Sequence, residues 1–325
     1  MNLNSEMIKV IVPVLVSFAI SVVLSPIIIP FLQKLKFGQF VREEGPEAHL
    51  KKAGTPTMGG MIFLFSVVIT SLFYIPDNKE VIPVLFVTLG FGLVGFWDDY
   101  IKVVMKRSLG LKAWQKMLAQ IVITVIFGYY LFEYNGFGTE TLIPFYGYIE
   151  MPLWLFIPLF FIGVLGTVNG VNLTDGLDGL ATSVTVLVAT FFTVVAIGTQ
   201  SGISPFTCAV VGSLLGFLLY NVYPARVFMG DTGSLALGGF VAASAFILKM
   251  PIIIAIVGLI YLVESLSVML QVTYFKLTHG KRIFKMAPLH HHFELCGWSE
   301  TRVVAVFSII TALLCLVGLA AVTGA

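Results

Sequence analysis

The sequence predicts an all-α polytopic membrane protein, and three observations carry that expectation. The 325-residue chain is 58% hydrophobic and 11% charged, with a mean hydropathy of +0.98, far from a soluble domain. Ten apolar stretches can be drawn along it, each about 17 to 25 residues long, the length that crosses a hydrocarbon core as a helix. Lys and Arg fall almost entirely in every second connection between these stretches.

The stretches run over residues 9–33, 58–75, 81–99, 114–133, 151–168, 182–199, 204–221, 233–249, 251–277 and 302–323, and together make one integral membrane domain, 1–325. The first is read as a span and not as a cleaved leader. It exceeds the usual apolar region of a leader, begins beside Glu6 as well as Lys9, and lacks a small-residue cleavage site. Cys208, Cys296 and Cys315 show no metal-ligand spacing and fall at different depths, so neither a zinc site nor a disulfide framework is expected.

Orientation follows from the cations. The connections after spans 1, 3, 5, 7 and 9, with their flanks, hold 16 of the 19 Lys and Arg, among them Lys36, Arg42, Lys51, Lys52, Lys102, Lys106, Lys112, Lys116, Arg226, Lys281, Arg282 and Lys285. Only Lys9, Lys79 and Lys249 lie opposite. Basic loops stay in the cytosol, which places both termini outside. The one long outer connection, Tyr134 to Glu150, is expected to form a small extracytoplasmic hairpin between spans 4 and 5, with Asn135-Gly136 and the run Thr139 to Tyr148 as its signals.

The inner loops hold the chemistry. Loop 1 carries His49, Lys51 and Lys52, then Gly54-Thr55-Pro56-Thr57-Met58-Gly59-Gly60, where glycines let backbone N–H groups approach an anion. A basic loop resting on anionic lipid heads would look much the same. Span 3 ends Trp97-Asp98-Asp99-Tyr100-Ile101-Lys102, and on a helix Asp98 and Lys102 share a face. The same span contains Gly90-x-Gly92-x-x-Gly95, a dinucleotide fingerprint by spelling. Inside an apolar helix it is better explained by close packing, as is Gly212-x-x-x-Gly216.

Loop 5 runs from Asn169 to Leu180. Two glycines there are expected to interrupt the helix, so that the segment enters span 6 as a turn with Asp178 able to cap it, while Asn172, Asp175 and Asp178 form a dense set of short oxygen ligands suited to magnesium or sugar hydroxyls. Loop 7 contains Asn221 and Gly230-Asp231-Thr232-Gly233-Ser234. There Asp231 is either the cap of span 8 or a ligand at a helix N-terminus that also welcomes an anion. Loop 9 carries Pro288 and His290-His291-His292-Phe293-Glu294, and consecutive histidines do not readily place three rings on one tetrahedral zinc. Glu264, deep in span 9, is expected to face the interior or a hydrated cavity. Carboxylates gathered beside cations at one membrane surface point to a metal and a phosphate.

Asp98-Asp99-Tyr100, Asn169 to Gly179, Asp231 to Ser234 and Pro288 to Glu294 resemble the motifs of the polyprenyl-phosphate N-acetylhexosamine-1-phosphate transferases. Within that superfamily, Gly54 to Gly60 and Pro288 to Glu294 are similar to the phospho-N-acetylmuramoyl-pentapeptide transferase branch, and the likeness covers essentially the whole chain. The resemblance implies transfer of a phospho-sugar from UDP-MurNAc-pentapeptide to undecaprenyl phosphate, giving lipid I and UMP with Mg²⁺ required, at the cytoplasmic face of a bacterial inner membrane. It implies Asp231 as the magnesium ligand, Asp98 as a candidate base, and Asp99 and Asp175 as further essential carboxylates. Substrate and phosphate contacts would come from Lys52, Thr57, Lys102, Lys116, Asn172, Asp178, Asn221, Gly230, Ser234 and His290, His291 and His292. The family also implies a lipid groove at a bent span 9, a homodimer, and no nucleic-acid partner. A sister transferase using UDP-GlcNAc would keep the same aspartates. An ion-coupled transporter would place its ionisable groups near the midplane, where only Glu264 lies.

Overall fold

The computed structural model describes residues 3–34, 52, 54–105, 107, 110–133 and 138–324. Lys36, Arg42, His49, Lys51, Lys106 and Asn135-Gly136 lie outside the described residues. Apart from one hairpin, the regular structure is helical. The order is α1 (Leu3–Lys34), α2 (Gly60–Leu72), α3 (Val81–Val103), α4 (Ala113–Glu133), β1 (Glu140–Ile143), β2 (Gly147–Glu150), α5 (Leu153–Thr174), α6 (Leu180–Gly198), α7 (Ser204–Asn221), α8 (Gly230–Ile247), α9 (Ile254–Val257), α10 (Leu259–Leu277), α11 (Leu289–Leu295) and α12 (Glu300–Thr323).

Among the described residues, eight helices are long and apolar enough to cross a membrane. The segment expected as span 9 is a broken pair, Pro251–Val257 and Leu259–Leu277, bent by 83°, and counting it as one span gives nine. Span 2 appears as the 13-residue Gly60–Leu72.

α8 is the centre of the bundle. Every residue from Thr232 to Ile247 is buried, and the sequence explains why: Gly238, Gly239, Ala242, Ala243 and Ala245 give it a thin profile. α3 and α5 pack on α8, and α1 packs on α7. Close approach accounts for the glycine patterns as expected. A β-carbon on Gly95 would overlap the Asp231 carbonyl of α8, and one on Gly212 would overlap the Val14 carbonyl of α1. The outer helices turn large apolar side chains outward, such as Leu15, Val23 and Ile27 on α1 and Ile309, Leu313 and Leu316 on α12. Apolar surface on that scale belongs in lipid.

Two sequence expectations are corrected here. Asn169, Gly170 and Asn172 belong to helix α5, which continues to Thr174. Gly170 does not break it, because the glycine is needed for packing: a β-carbon there would press on the Tyr261 carbonyl at 3.0 Å and the Ser265 hydroxyl at 3.1 Å. Asp178 does not cap α6, whose cap position is Gly179 with a φ of 76° and no side-chain bond. The Asp178 carboxylate turns instead to Lys52 and the Ala225 N–H.

The hairpin pairs Glu140 with Glu150 and Ile143 with Gly147 in antiparallel register. It docks on the C-terminal end of α8, where Leu142 N–H donates to the Lys249 carbonyl at 2.7 Å. That is the opposite end of α8 from Asp231.

Candidate active site

At the other end of α8 its first turn meets the last turns of α3, and Asp99 joins them. Asp99 is 4% exposed. Its Oδ2 accepts from the Thr232 N–H at 2.8 Å and the Thr232 hydroxyl at 2.7 Å, and its Oδ1 from the Asp231 N–H at 3.2 Å. A carboxylate on free N–H groups at a helix start is favoured by both hydrogen bonding and the helix dipole. Asp99 therefore caps α8 from another helix. Asp231, the expected cap or ligand, is relieved of that work and sits inside the first turn with its side chain turned to the site. The Gly230 backbone has a φ of 72°, and a β-carbon there would lie 2.6 Å from Asp99 Oδ2 and 2.8 Å from the hydroxyl of buried Thr57, so this position accepts only glycine.

Asp231 is the hub. Its Oδ2 accepts from Lys102 Nζ and Lys116 Nζ, each at 2.9 Å, and its Oδ1 from Asn172 Nδ2 at 2.8 Å. The same Asn172 amide lies 2.8 Å from the Ser234 hydroxyl. Asp98 pairs with Lys102 at 2.5 Å across one turn, as the spacing predicts, and accepts the Leu111 N–H at 2.7 Å. The Asp98 and Asp231 carboxyls adjoin. Asp175 follows the last residue of α5, facing the Gly230 N–H. Burial, then the charges of Asp231, Asp99 and Asp178, push its pKa up to about 8.

A second cluster joins the loops. Lys52 Nζ donates to Asp178 Oδ1 and Glu300 Oε1, each at 2.6 Å, and the same Glu300 oxygen accepts the Asp178 N–H at 2.6 Å. Burial opposes the lysine's charge, but its hydrogen bonds to Asp178 and Glu300 and their charges outweigh it, so its pKa rises above the usual value. Asn221 is buried with both ends of its amide engaged, accepting from the Thr182 hydroxyl at 2.6 Å and donating to the Val227 carbonyl at 3.0 Å. It braces loop 7 from beneath.

The three histidines have different polar partners, although the His290 and His291 rings lie with centroids 4.1 Å apart. His290 is buried against Glu264, His291 Nδ1 is 2.9 Å from Glu294, and His292 Nδ1 accepts the Lys285 N–H at 3.1 Å. Among the described residues no three His, Cys, Asp or Glu form a closed metal cage. The donors available to a cation are Asp231 and the adjoining Asp98. A pair of carboxylates completed by phosphate oxygens and water suits magnesium better than zinc.

The sequence that builds this site has counterparts in known proteins. Residues 81–250 match glycosyl transferase family 4, and residues 52–64 match the phospho-N-acetylmuramoyl-pentapeptide-transferase signature 1. A phospho-N-acetylmuramoyl-pentapeptide-transferase of Acetivibrio thermocellus is 54% identical over 308 residues, covering 94% of this chain and 92% of the relative. The chain belongs to the phospho-N-acetylmuramoyl-pentapeptide-transferase family. Enzymes of the same name from Clostridium botulinum (strain Alaska E43) and Clostridium perfringens (strain 13) are 54% and 51% identical over 310 and 315 residues, covering 94% and 96% of this chain and 94% and 98% of the relatives. The family match from 81 to 250 contains all four clustered aspartates, and the signature contains Lys52 and Thr57.

Other residues at the site were missed by sequence reasoning. Glu300 reads as an ordinary acidic residue in the first turn of α12. Gln120 reads as a lone amide in an apolar helix, yet it exchanges hydrogen bonds with Asn169, at 2.8 Å from Asn169 Nδ2, and so fixes α4, with Lys116 one turn earlier, against α5. Thr232 had a readable signal: a hydroxyl next to a helix-start aspartate has backbone and side chain to offer a distant carboxylate.

Proposed function

We propose that this chain transfers phospho-MurNAc-pentapeptide from UDP-MurNAc-pentapeptide to undecaprenyl phosphate, giving lipid I and UMP in peptidoglycan synthesis. The observation that carries the reading is the convergence of Asp98, Asp99, Asp175 and Asp231 with Lys102 and Lys116, drawn from α3, α4, α5 and α8, at one end of the bundle. An acceptor phosphate oxygen attacks the sugar-linked phosphorus, the bond from that phosphorus to the bridging oxygen breaks, and UMP leaves. Phosphoryl transfer asks the protein mainly for positioning and charge neutralisation. Lys102 and Lys116 share one oxygen of Asp231, so both ammoniums can turn to phosphate oxygens when Asp231 takes another cation. Asp98 receives the proton of the acceptor phosphate. Asp231, with Asp98 beside it, would hold Mg²⁺, which would supply neutralisation of the diphosphate charge.

The proposal includes the membrane arrangement. Counting Gly60–Leu72 as a span beside the eight long helices and the bent pair gives ten, with both termini and the hairpin outside and the carboxylate cluster at the cytosolic face of the bacterial inner membrane. Only there can a cytosolic nucleotide sugar meet a bilayer-held lipid phosphate. The bend at Gly258 opens a course for the polyprenyl tail, and the enzyme works as a homodimer. The test is UMP release by purified protein given undecaprenyl phosphate with UDP-MurNAc-pentapeptide or UDP-GlcNAc, with and without Mg²⁺. Release with the first nucleotide sugar and Mg²⁺ is expected, and release with UDP-GlcNAc alone would transfer the reading to the sister reaction.

A further inference from the structure

Among the described residues Glu264 is the one carboxylate deep in an apolar span, and it is 0% exposed. Burying it costs free energy that a hydrophobic residue would not. Both of its oxygens meet a single residue: Oε1 accepts the His290 main-chain N–H at 3.2 Å, and Oε2 lies 3.2 Å from His290 Nδ1. The ring is as buried as its partner. The Nδ1–Oε2 approach is close without being an aligned hydrogen bond, and among the described residues His290 Nε2 has no partner. The carboxyl, held on the His290 main-chain N–H and lying in front of Nδ1, backs the ring on one side and so sets where Nε2 points.

Nε2 points at Gly176. A β-carbon on Gly176 would overlap the imidazole, so the ring is seated directly on the turn that follows α5. Asp175 is the neighbouring residue, and its carboxyl feels Asp231 and Asp99. The contacts therefore run from α10 through α11 to the turn that carries Asp175, and from there to the hub.

We propose that Glu264 is a positioning residue for phosphoryl transfer, holding the His290 imidazole against Gly176 and so setting the place of the Asp175 turn relative to Asp231. The inference rests on the transferase reading above. A purely structural brace has no need of polar groups here, since an apolar pair of similar volume would join α10 to α11 at lower cost.

The test compares Glu264→Gln, Glu264→Asp, His290→Gln and the Glu264→Gln/His290→Gln double variant, each purified as the full chain in detergent, for kcat, KM and melting temperature. Glu264→Gln keeps an oxygen for the His290 N–H, so a melting temperature near wild type is expected, with kcat about tenfold lower or more and KM for the nucleotide sugar little changed, because small misplacements at a reacting centre act on turnover. Glu264→Asp restores part of kcat. The double variant is no slower than His290→Gln, since two residues in one chain of action do not add. Wild-type kcat in Glu264→Gln, losses that multiply in the double variant, or loss of activity that follows the melting temperature would overturn the inference. Absence of UMP release by the unaltered protein would instead strike the transferase reading.

Discussion

Two adjacent aspartates of α3 do different work, and the difference is measurable. Asp99 spends both oxygens on the α8 N-terminus, whereas Asp98 and Asp231 adjoin beside two ammoniums. Asp231→Asn and Asp98→Asn are therefore expected to lower the rate of UMP release by about 10²–10³-fold, the scale of losing one preorganised charge, while the melting temperature holds. Asp99→Asn should lose activity and stability together. An amide offers one acceptor oxygen where Thr232 and Asp231 need two, and a lost cap costs about 0.5–2 kcal/mol. Calorimetry beside the UMP assay separates the cases, and an Asp99→Asn protein that melts like wild type would refute the cap assignment. Asn221 gives a third pattern. Asn221→Ala orphans the buried Thr182 hydroxyl and Val227 carbonyl, so it should reduce stability by about 1–3 kcal/mol, with activity following the loss of fold instead of the affinity for substrate.

At the scale of elements, the site exists because α3 and α8 touch. Gly95→Ala places a methyl against the Asp231 carbonyl, so the helices must separate just where each supplies carboxylates. Overpacking of this kind costs about 1–3 kcal/mol, and the displacement of Asp98 from Asp231 should make the fall in kcat larger than the fall in melting temperature. An unchanged kcat would mean that the interhelix distance does not matter to the reaction. This contact also shows what was legible in the sequence. Gly90, Gly92 and Gly95 could be assigned to packing because their apolar surroundings ruled out a phosphate loop, and Asp98 with Lys102 followed from helical spacing alone. Local rules failed where tertiary contacts decided. Gly170 looks like a helix breaker until Tyr261 is seen pressed against it, and Asp178 looks like a cap until Lys52 and Ala225 claim it. Glu300 was invisible, because its role depends on Lys52, 248 residues away, and nothing near it in the chain marks that pairing.

For the whole molecule, α8 serves as a ruler. Its 18 residues span about 27 Å at a helical rise of about 1.5 Å per residue, close to the thickness of a hydrocarbon core of about 30 Å. The Asp231 cluster sits at its first turn, and the hairpin docks just beyond its last one, through Leu142 and Lys249. The two features must then lie at opposite surfaces of any bilayer that α8 crosses, and the orientation proposed above, with basic loops inside, puts the cluster on the cytosolic side. Cysteine labelling reads this directly. Cys208 and Cys315 are buried and Cys296 is exposed, so Cys296→Ser provides a quiet background. On it, Tyr146→Cys at the exposed hairpin turn should react with a membrane-impermeant maleimide on intact spheroplasts. Arg226→Cys, on the exposed loop before α8, should react only once the membrane is opened. Equal labelling of both from outside would place the carboxylate cluster away from the compartment that holds nucleotide sugars, and the transfer reaction would lose its donor substrate.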